Sequence, residues 1–285
     1  MEIKKRGPKP SPQSHCPICD RFGTLKRGYC GTCYVRLLRN GKLLQIQKPK
    51  LPTLLTSYQD EFLTGCLLGD GCLYRRKATH QPYFAVQRSL SDKAYAIWQQ
   101  KIIEPFVCRS YDGSSLDKRT KKEYQWTKFV THRSSIFLPY YESWYGTGHK
   151  KIPKQIVLSP VCLAVWLCDD GHVRTCGSPW RLQIKLSTHG FDLDDTEFLC
   201  AMLCARYKEY FGITIEKGKG IIYSSDSGCR AFLKEVDGCF PDSMLRKAVC
   251  WRNKEVRFYD DIPNRSSVGM GAKRKSKNGK RDLQT

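Results

Sequence analysis

Two stretches constrain this chain more than anything else in it: "LTGCLLGDG" at 63–71 and "LAVWLCDDG" at 163–171. Each is an apolar, helix-like run that ends in acid and then glycine. Carboxylates there meet the negative end of the helix dipole, which disfavours them by roughly 0.3–1 kcal/mol each. The segments downstream of the two runs are repeated too. A strand-like piece comes first, "YFAVQRS" and then "RLQIKLS". Helix-like pieces are next, "SDKAYAIWQQKII" and "DDTEFLCAMLCARYKEYF", then strand-like "EYQWTKFVTH" and "GIIYSS". Each half closes on a basic, Pro-containing segment, "GHKKIPKQIV" and "FPDSMLRKAV". Two similar α+β halves in one chain imply a pseudo-twofold pair, a shape that suits twofold duplex DNA.

The small residues explain how the acids could meet. Gly65 and Gly69 stand i, i+4, as do Ala164 and Cys168, so the two runs can pack closely. Their C-terminal ends then bring Asp70 and Asp170 side by side, with Gly71 and Gly171 expected in left-handed turns. Two carboxylates so placed repel each other, and a divalent cation relieves them.

Charge points the same way. The net charge is +22, and residues 1–50 carry twelve Lys and Arg against only Glu2 and Asp20. Such a surplus suits a polyanionic partner. In the same segment Cys16-x-x-Cys19 and Cys30-x-x-Cys33 have the spacing of a tetrahedral zinc site. The segment has little apolar material with which to fold unaided. His15 is read as a bystander. Arg27, Arg36, Arg39 and Lys42 surround the knuckles and are read as phosphate contacts. Composition divides the chain into 1–50, a zinc module with its basic linker; 51–155 and 156–262, the two halves; and 263–285, a basic disordered tail.

The repeated blocks resemble the LAGLIDADG homing endonucleases in their single-chain, two-motif form. "LTGCLLGDG" matches at the first Leu, the third-position Gly and the closing Asp-Gly, and "LAVWLCDDG" matches at Leu, Ala and Asp-Gly. Departures are Val165 in place of the motif glycine, and Leu68 and Cys168 in place of its first Asp. The zinc module is not part of that family's core. The resemblance implies αββαββα halves, with two antiparallel sheets forming a saddle over DNA. It implies Mg²⁺ at Asp70 and Asp170, which acidifies water for attack on the scissile phosphates. Lys151 and Lys247 are the implied basic partners, with Lys150 an open alternative to Lys151. DNA contacts are expected from Arg75, Arg76, Lys77 and Arg88 in the first half and from Arg174, Arg181, Lys185 and His189 in the second. Lys121 and Lys122 are placed at a backbone-contacting hairpin tip, "DKRTKK".

The expected function is a site-specific endonuclease that breaks both strands of a long, weakly palindromic target and acts as a monomer. An RNA-binding intron maturase and a non-cleaving DNA-binding regulator are the rivals on the same fold. The opening "MEIKKRGPKP" has no apolar signal core, and "VCLAVWLC" is far short of the roughly 20 residues of a membrane span. The 15 cysteines, an odd number mostly set singly in apolar surroundings, suit a reducing intracellular compartment.

Overall fold

The structure, a computed structural model, describes residues 13–25, 27–40, 51–176 and 181–248. Lys42, residues 41–50 of the basic linker and the tail from 263 lie outside them. The chain divides into two compact units, Met1–Leu54 and Leu55–Thr285.

In the first unit, strands β1 (Gln13–His15) and β2 (Phe22–Thr24) form an antiparallel hairpin, followed by helix α1 (Gly31–Asn40). Buried Cys16, Cys30 and Cys33 make its small core, with Ile18, Cys19, Leu25 and Tyr29 packed against them.

The second unit repeats one plan twice. In the first half α2 (Ser57–Leu68) leads to β3 (Cys72–Tyr74) and β4 (Tyr83–Ser89). Then come α3 (Lys93–Ile102), β5 (Val107–Leu116), β6 (Glu123–Thr131) and α4 (Leu138–Tyr145). In the second half α5 (Pro160–Asp170) leads to β7 (Gly171–Cys176) and β8 (Arg181–Ser187). Then come α6 (Leu193–Tyr207), β9 (Phe211–Glu216), β10 (Lys219–Ser224) and α7 (Asp226–Val236). The sheets have matching antiparallel orders, β3-β4-β6-β5 and β7-β8-β10-β9.

Local chemistry fixes where the two central helices begin. Thr56 caps α2 in a reciprocal box with Gln59, the Thr hydroxyl accepting from Gln59 N at 3.2 Å. Ser159 caps α5 by accepting from Cys162 N at 3.2 Å, with Pro160 in the first turn. Past its polar first turn α2 is buried from Phe62 to Leu68 except at Thr64, and α5 is buried from Cys162 to Cys168, as elements inside a core must be.

Their contact is closest at the glycines. A Cβ on Gly65 would lie 2.6 Å from Cys162 O and 2.8 Å from Val165 Cβ. Val165, the departure from the motif, therefore fills the space opposite Gly65. The left-handed turns expected at Gly71 and Gly171 do not form. Gly171 is extended (φ −91°, ψ 154°), and Gly71 is not among the positive-φ glycines. Glycine is needed there for space instead. The strand folds straight back over the last helical turn, and a Cβ at Gly71 would meet Cys66 O at 2.7 Å.

The halves are also tied at their edges. Tyr95 of α3 packs with Cys168 of α5 and with Met244 near the end of the second half. Ile152 N donates to buried Asp195 of α6 at 2.9 Å.

Candidate active site and nucleic-acid faces

The C-terminal ends of α2 and α5 converge where β3 and β7 begin, and three carboxylates meet there. Asp70 is half exposed and Asp170 half buried, while the Asp169 side chain is fully buried. Arg88 of β4 lies beneath them. Its Nη1 donates to Asp70 Oδ2, its Nη2 to Asp169 Oδ1, and its Nε to Gln99 Oε1 at 3.3 Å. Asp169 also accepts from the Tyr95 hydroxyl at 2.8 Å and from Asp70 N at 3.2 Å. Arg88, expected on the DNA face, is thus buried inside, because its position in β4 alternates with the outward ones. Burial works against its charge, and Asp169, Tyr95 and Asp70 more than reverse that, so the guanidinium stays charged.

The acids feel one another. Burial raises the Asp70 pKa, Arg88 opposes that and Asp169 adds to it. Burial, then Asp70 and Asp169, push Asp170 up to about 7. Among the described residues no donor hydrogen-bonds the Asp170 carboxylate.

Two lysines flank the acids in matching ways. Lys150 Nζ donates to Gly69 O and Gly71 O, both at 3.1 Å. Lys247 Nζ donates to Gly171 O at 2.6 Å. Burial lowers both ammonium pKa values, and for Lys247 the neighbouring Arg246 adds to it. Lys151 points elsewhere, to Asp192 at 3.5 Å. Between the two neighbouring lysines it is therefore Lys150 that faces the acids.

The donor set here is all oxygen, with carboxylates crowded enough to hold protons. That fits a hard divalent cation such as Mg²⁺. Because Arg88 bonds Asp70 through Oδ2, Oδ1 is left for such an ion.

In the first unit the Cys16, Cys19, Cys30 and Cys33 sulfurs all lie within 4.8 Å of one another. Burial pushes Cys16 up, but the backbone N–H groups of Cys30, Cys19 and Ile18 outweigh it and bring the thiol down to about 6. Burial and the neighbouring thiols push Cys33 up to about 12. Four sulfurs that cannot all ionise unaided, held by backbone donors, suit a tetrahedral thiolate metal. His15 turns to Asp20, 3.0 Å away, and stays out of the cluster. Arg27 occupies a left-handed turn (φ 51°), while Arg36 and Arg39 are exposed on α1.

Alternation along the strands defines an outer face on each sheet. On the first sheet it carries Tyr74, Tyr83, Gln87, Arg109, Tyr111 and Lys128. Tyr74 and Tyr83 stack at 5.5 Å, with Lys128 Nζ 5.9 Å from the Tyr74 ring. Arg75 braces its own loop, donating to His80 O at 2.9 Å, while Arg76 and Lys77 are exposed in that loop. On the second sheet Arg174 and Lys185 lie on the outer face. Arg174 bonds Gln183 at 2.7 Å, and Lys185 pairs with Glu216. Arg181 begins β8, and exposed His189 follows it. Lys121 and Lys122 are exposed at the β5–β6 tip, with Lys121 in a left-handed turn (φ 55°). Gln87, Arg109 and Lys128 are not among the contacts expected from sequence, although period-two alternation with the buried Phe84, Val86 and Phe129 could have found them.

No described helix is long and apolar enough to cross a membrane. Residues 60–232 match the model of the LAGLIDADG DNA endonuclease family, and the chain belongs to that family. It is 28% identical over 210 residues to the probable intron-encoded endonuclease 1 of Wickerhamomyces canadensis, covering 70% of this chain and 86% of that one. It is 26% identical over 198 residues to the cytochrome b mRNA maturase bI2 of Debaryomyces hansenii, covering 68% and 71%. The homing endonuclease I-WcaI bound to its DNA recognition sequence shares the fold, with a TM-score of 0.62 at 22% identity over 73% of this chain and 93% of that one.

Proposed function

We propose that this LAGLIDADG protein is a site-specific DNA endonuclease that makes a Mg²⁺-dependent double-strand break in a long, weakly palindromic target. The observation that carries the reading is the meeting of Asp70 and Asp170 at the ends of the paired helices, flanked by two half-buried lysines on motif-glycine carbonyls. Asp70 and Asp170 would hold the ions, which when bound supply positive charge to the phosphate and make water a stronger acid.

The chain's own residues do the rest. Lys150 and Lys247 place one ammonium beside each centre. With pKa values lowered by burial, each can neutralise charge on the phosphate or pass a proton at Nζ. The outer sheet faces would grip the major groove, with Lys128, Arg109, Arg174 and Lys185 able to reach base edges. Because these faces differ between the halves, one chain suffices for an asymmetric site. Cys16, Cys19, Cys30 and Cys33 would hold a structural Zn²⁺, and Arg27, Arg36 and Arg39 would add phosphate contacts.

Incubation with a randomised DNA library and Mg²⁺, followed by sequencing of the ends, tests this. Asp70→Asn and Asp170→Asn should bind the selected target but not break both strands. Double-strand breaks persisting in either variant overturn the assignment. The resemblance to an mRNA maturase favours a second reading, in which intron RNA is bound as well. Specific retention of one intron RNA by a chain carrying both Asp70→Asn and Asp170→Asn would support it.

A further inference from the structure

Resting on that nuclease reading, we infer that Asp169 is a positioning residue. It holds Arg88, and Arg88 restrains Asp70 alone, so the two cation sites are inequivalent and load in a fixed order.

The asymmetry comes from register. Cys72 and His172, each just after a motif glycine, pair with Ala85 and Lys185. Three residues further on, Arg88 therefore corresponds to Thr188. Thr188 is also buried, but its hydroxyl donates to Gly220 O at 2.6 Å and it brings no charge to the acids. One motif position back from the paired acids, Asp169 corresponds to Gly69. A Cβ on Gly69 would lie 2.4 Å from Asp169 Cβ, so only one of the two halves can carry a side chain there. The chain thus has one extra carboxylate and one extra guanidinium, and they bond each other.

Asp169 is not placed to ligate a solvent-borne ion. Its side chain is fully buried, and its oxygens are taken by Arg88, the Tyr95 hydroxyl and Asp70 N. All three Arg88 nitrogens are engaged as well, Nε with Gln99, Nη1 with Asp70 and Nη2 with Asp169. The guanidinium fixes the carboxylate plane of Asp70 through Oδ2 and places a positive charge against any ion there. Asp170 feels Arg88 and Lys150 only through space, with no bond from the guanidinium to restrain its carboxylate or to set that charge directly against an ion. The Asp170 centre therefore fills first, and the strand it serves is nicked first.

Terbium(III) luminescence on the full chain reads loading without turnover. Two steps about tenfold apart are expected, the shift that one charge-assisted bond supplies. Asp170→Asn should remove the tighter step and Asp70→Asn the weaker. Asp169→Asn frees Arg88 to close fully on Asp70 and should widen the gap. The double variant Asp169→Asn with Arg88→Met removes both members of the pair, and the two steps should converge. A role confined to stability would move the melting temperature and leave the gap alone. If Asp169→Asn fails to fold, the double variant still decides. Strand-specific labels on the cleavage substrate should show one strand always nicked first in the parent, and that preference lost in the double variant. Equal steps in the parent, or a gap that survives in the folded double variant, overturn this inference and leave the nuclease reading standing. No terbium binding at all overturns both.

Discussion

The Asp169 carboxylate accepts the backbone N–H of Asp70 at 3.2 Å, so the last residues of one motif are hydrogen-bonded to the helix of the other. The contact exists because Gly69 offers no side chain to keep α5 away. Gly69→Ala places its Cβ 2.4 Å from Asp169 Cβ. Overpacking of this kind costs about 1–3 kcal/mol. Denaturant unfolding of Gly69→Ala should show that loss, and double-strand cleavage should fall with it as Asp70 shifts. Unchanged stability would mean that the helices do not meet at this point.

The two neighbouring lysines separate cleanly in their bonding, and so should their variants. Lys150 spans the carbonyls of Gly69 and Gly71, whereas Lys151 faces the half-exposed Asp192. Lys150→Met should slow cleavage by roughly 10²–10⁴-fold, the usual worth of a proton-handling group. Lys151→Met should stay within a few-fold. Single-turnover rates at saturating DNA distinguish them, and the reverse order would return the role to Lys151.

Much of this arrangement is legible in the residues themselves, and the parts that are not share a physical reason. Arg181–Ser187 alternates polar and apolar residues, Tyr83–Ser89 is a short run rich in aromatic and branched residues, and both are strands to the residue. Val107–Leu116 escapes a sequence reading because it is an edge strand, rich in Ser with Asp112 and Gly113, and almost all exposed. It has no buried face to print a pattern. The paired acids are visible, but nothing in "CDDG" says which carboxylate turns inward. That is decided by the register of α5 against Gly69, a long-range contact. Arg88 is easily misplaced because a basic residue in a DNA-facing strand looks like a contact until its parity with Phe84 and Val86 is counted. The choice between Lys150 and Lys151 likewise depends on a chain path that spacing alone does not fix.

Acidity should reveal the strain among the carboxylates. Asp170 holds its proton up to about pH 7, because burial and then Asp70 and Asp169 oppose ionisation. Unfolded, the same carboxyl ionises at about 3.9. The folded state binds this proton more tightly, so the stability it lends is complete below about pH 4 and is lost as pH rises to about 7. Metal-free protein should lose on the order of 1–2 kcal/mol over that window, allowing for water at a half-buried group. Added Mg²⁺ should restore the melting temperature at about pH 8 and do little at about pH 5. Asp170→Asn should flatten the metal-free trend and shrink the Mg²⁺ increment to what the Asp70 centre supplies. A melting temperature indifferent to both would count against an ion at this carboxylate.

The cysteine cluster makes a prediction of its own. With sulfurs within 4.8 Å and few other apolar residues, the first unit has little to hold it without a metal. Purified chain should carry one zinc per molecule, and Cys16→Ser should release it. Hydrogen exchange over residues 13–40 should then rise to the unprotected rate. Full protection in the metal-free variant would show that the thiols pack as an ordinary small core.

Base reading and phosphate contact should part along the outer face. Lys128 lies mid-strand on that face, between Gln87 and Tyr111, its ammonium over the Tyr74 ring. Held in this way it can present a donor to one base edge. Lys128→Ala should therefore relax specificity at a single position of one half-site, by about 1–3 kcal/mol. Lys121 and Lys122 stand at an exposed tip, with nothing to aim them at a base. Lys121→Ala should weaken all sequences alike and reduce the salt slope of binding by about one. The two variants are compared by binding a one-base-substituted target series at several salt concentrations. Uniform weakening by Lys128→Ala, with a smaller salt slope, would move it from the reading set to the phosphate set and shift specificity toward Gln87 and Arg109.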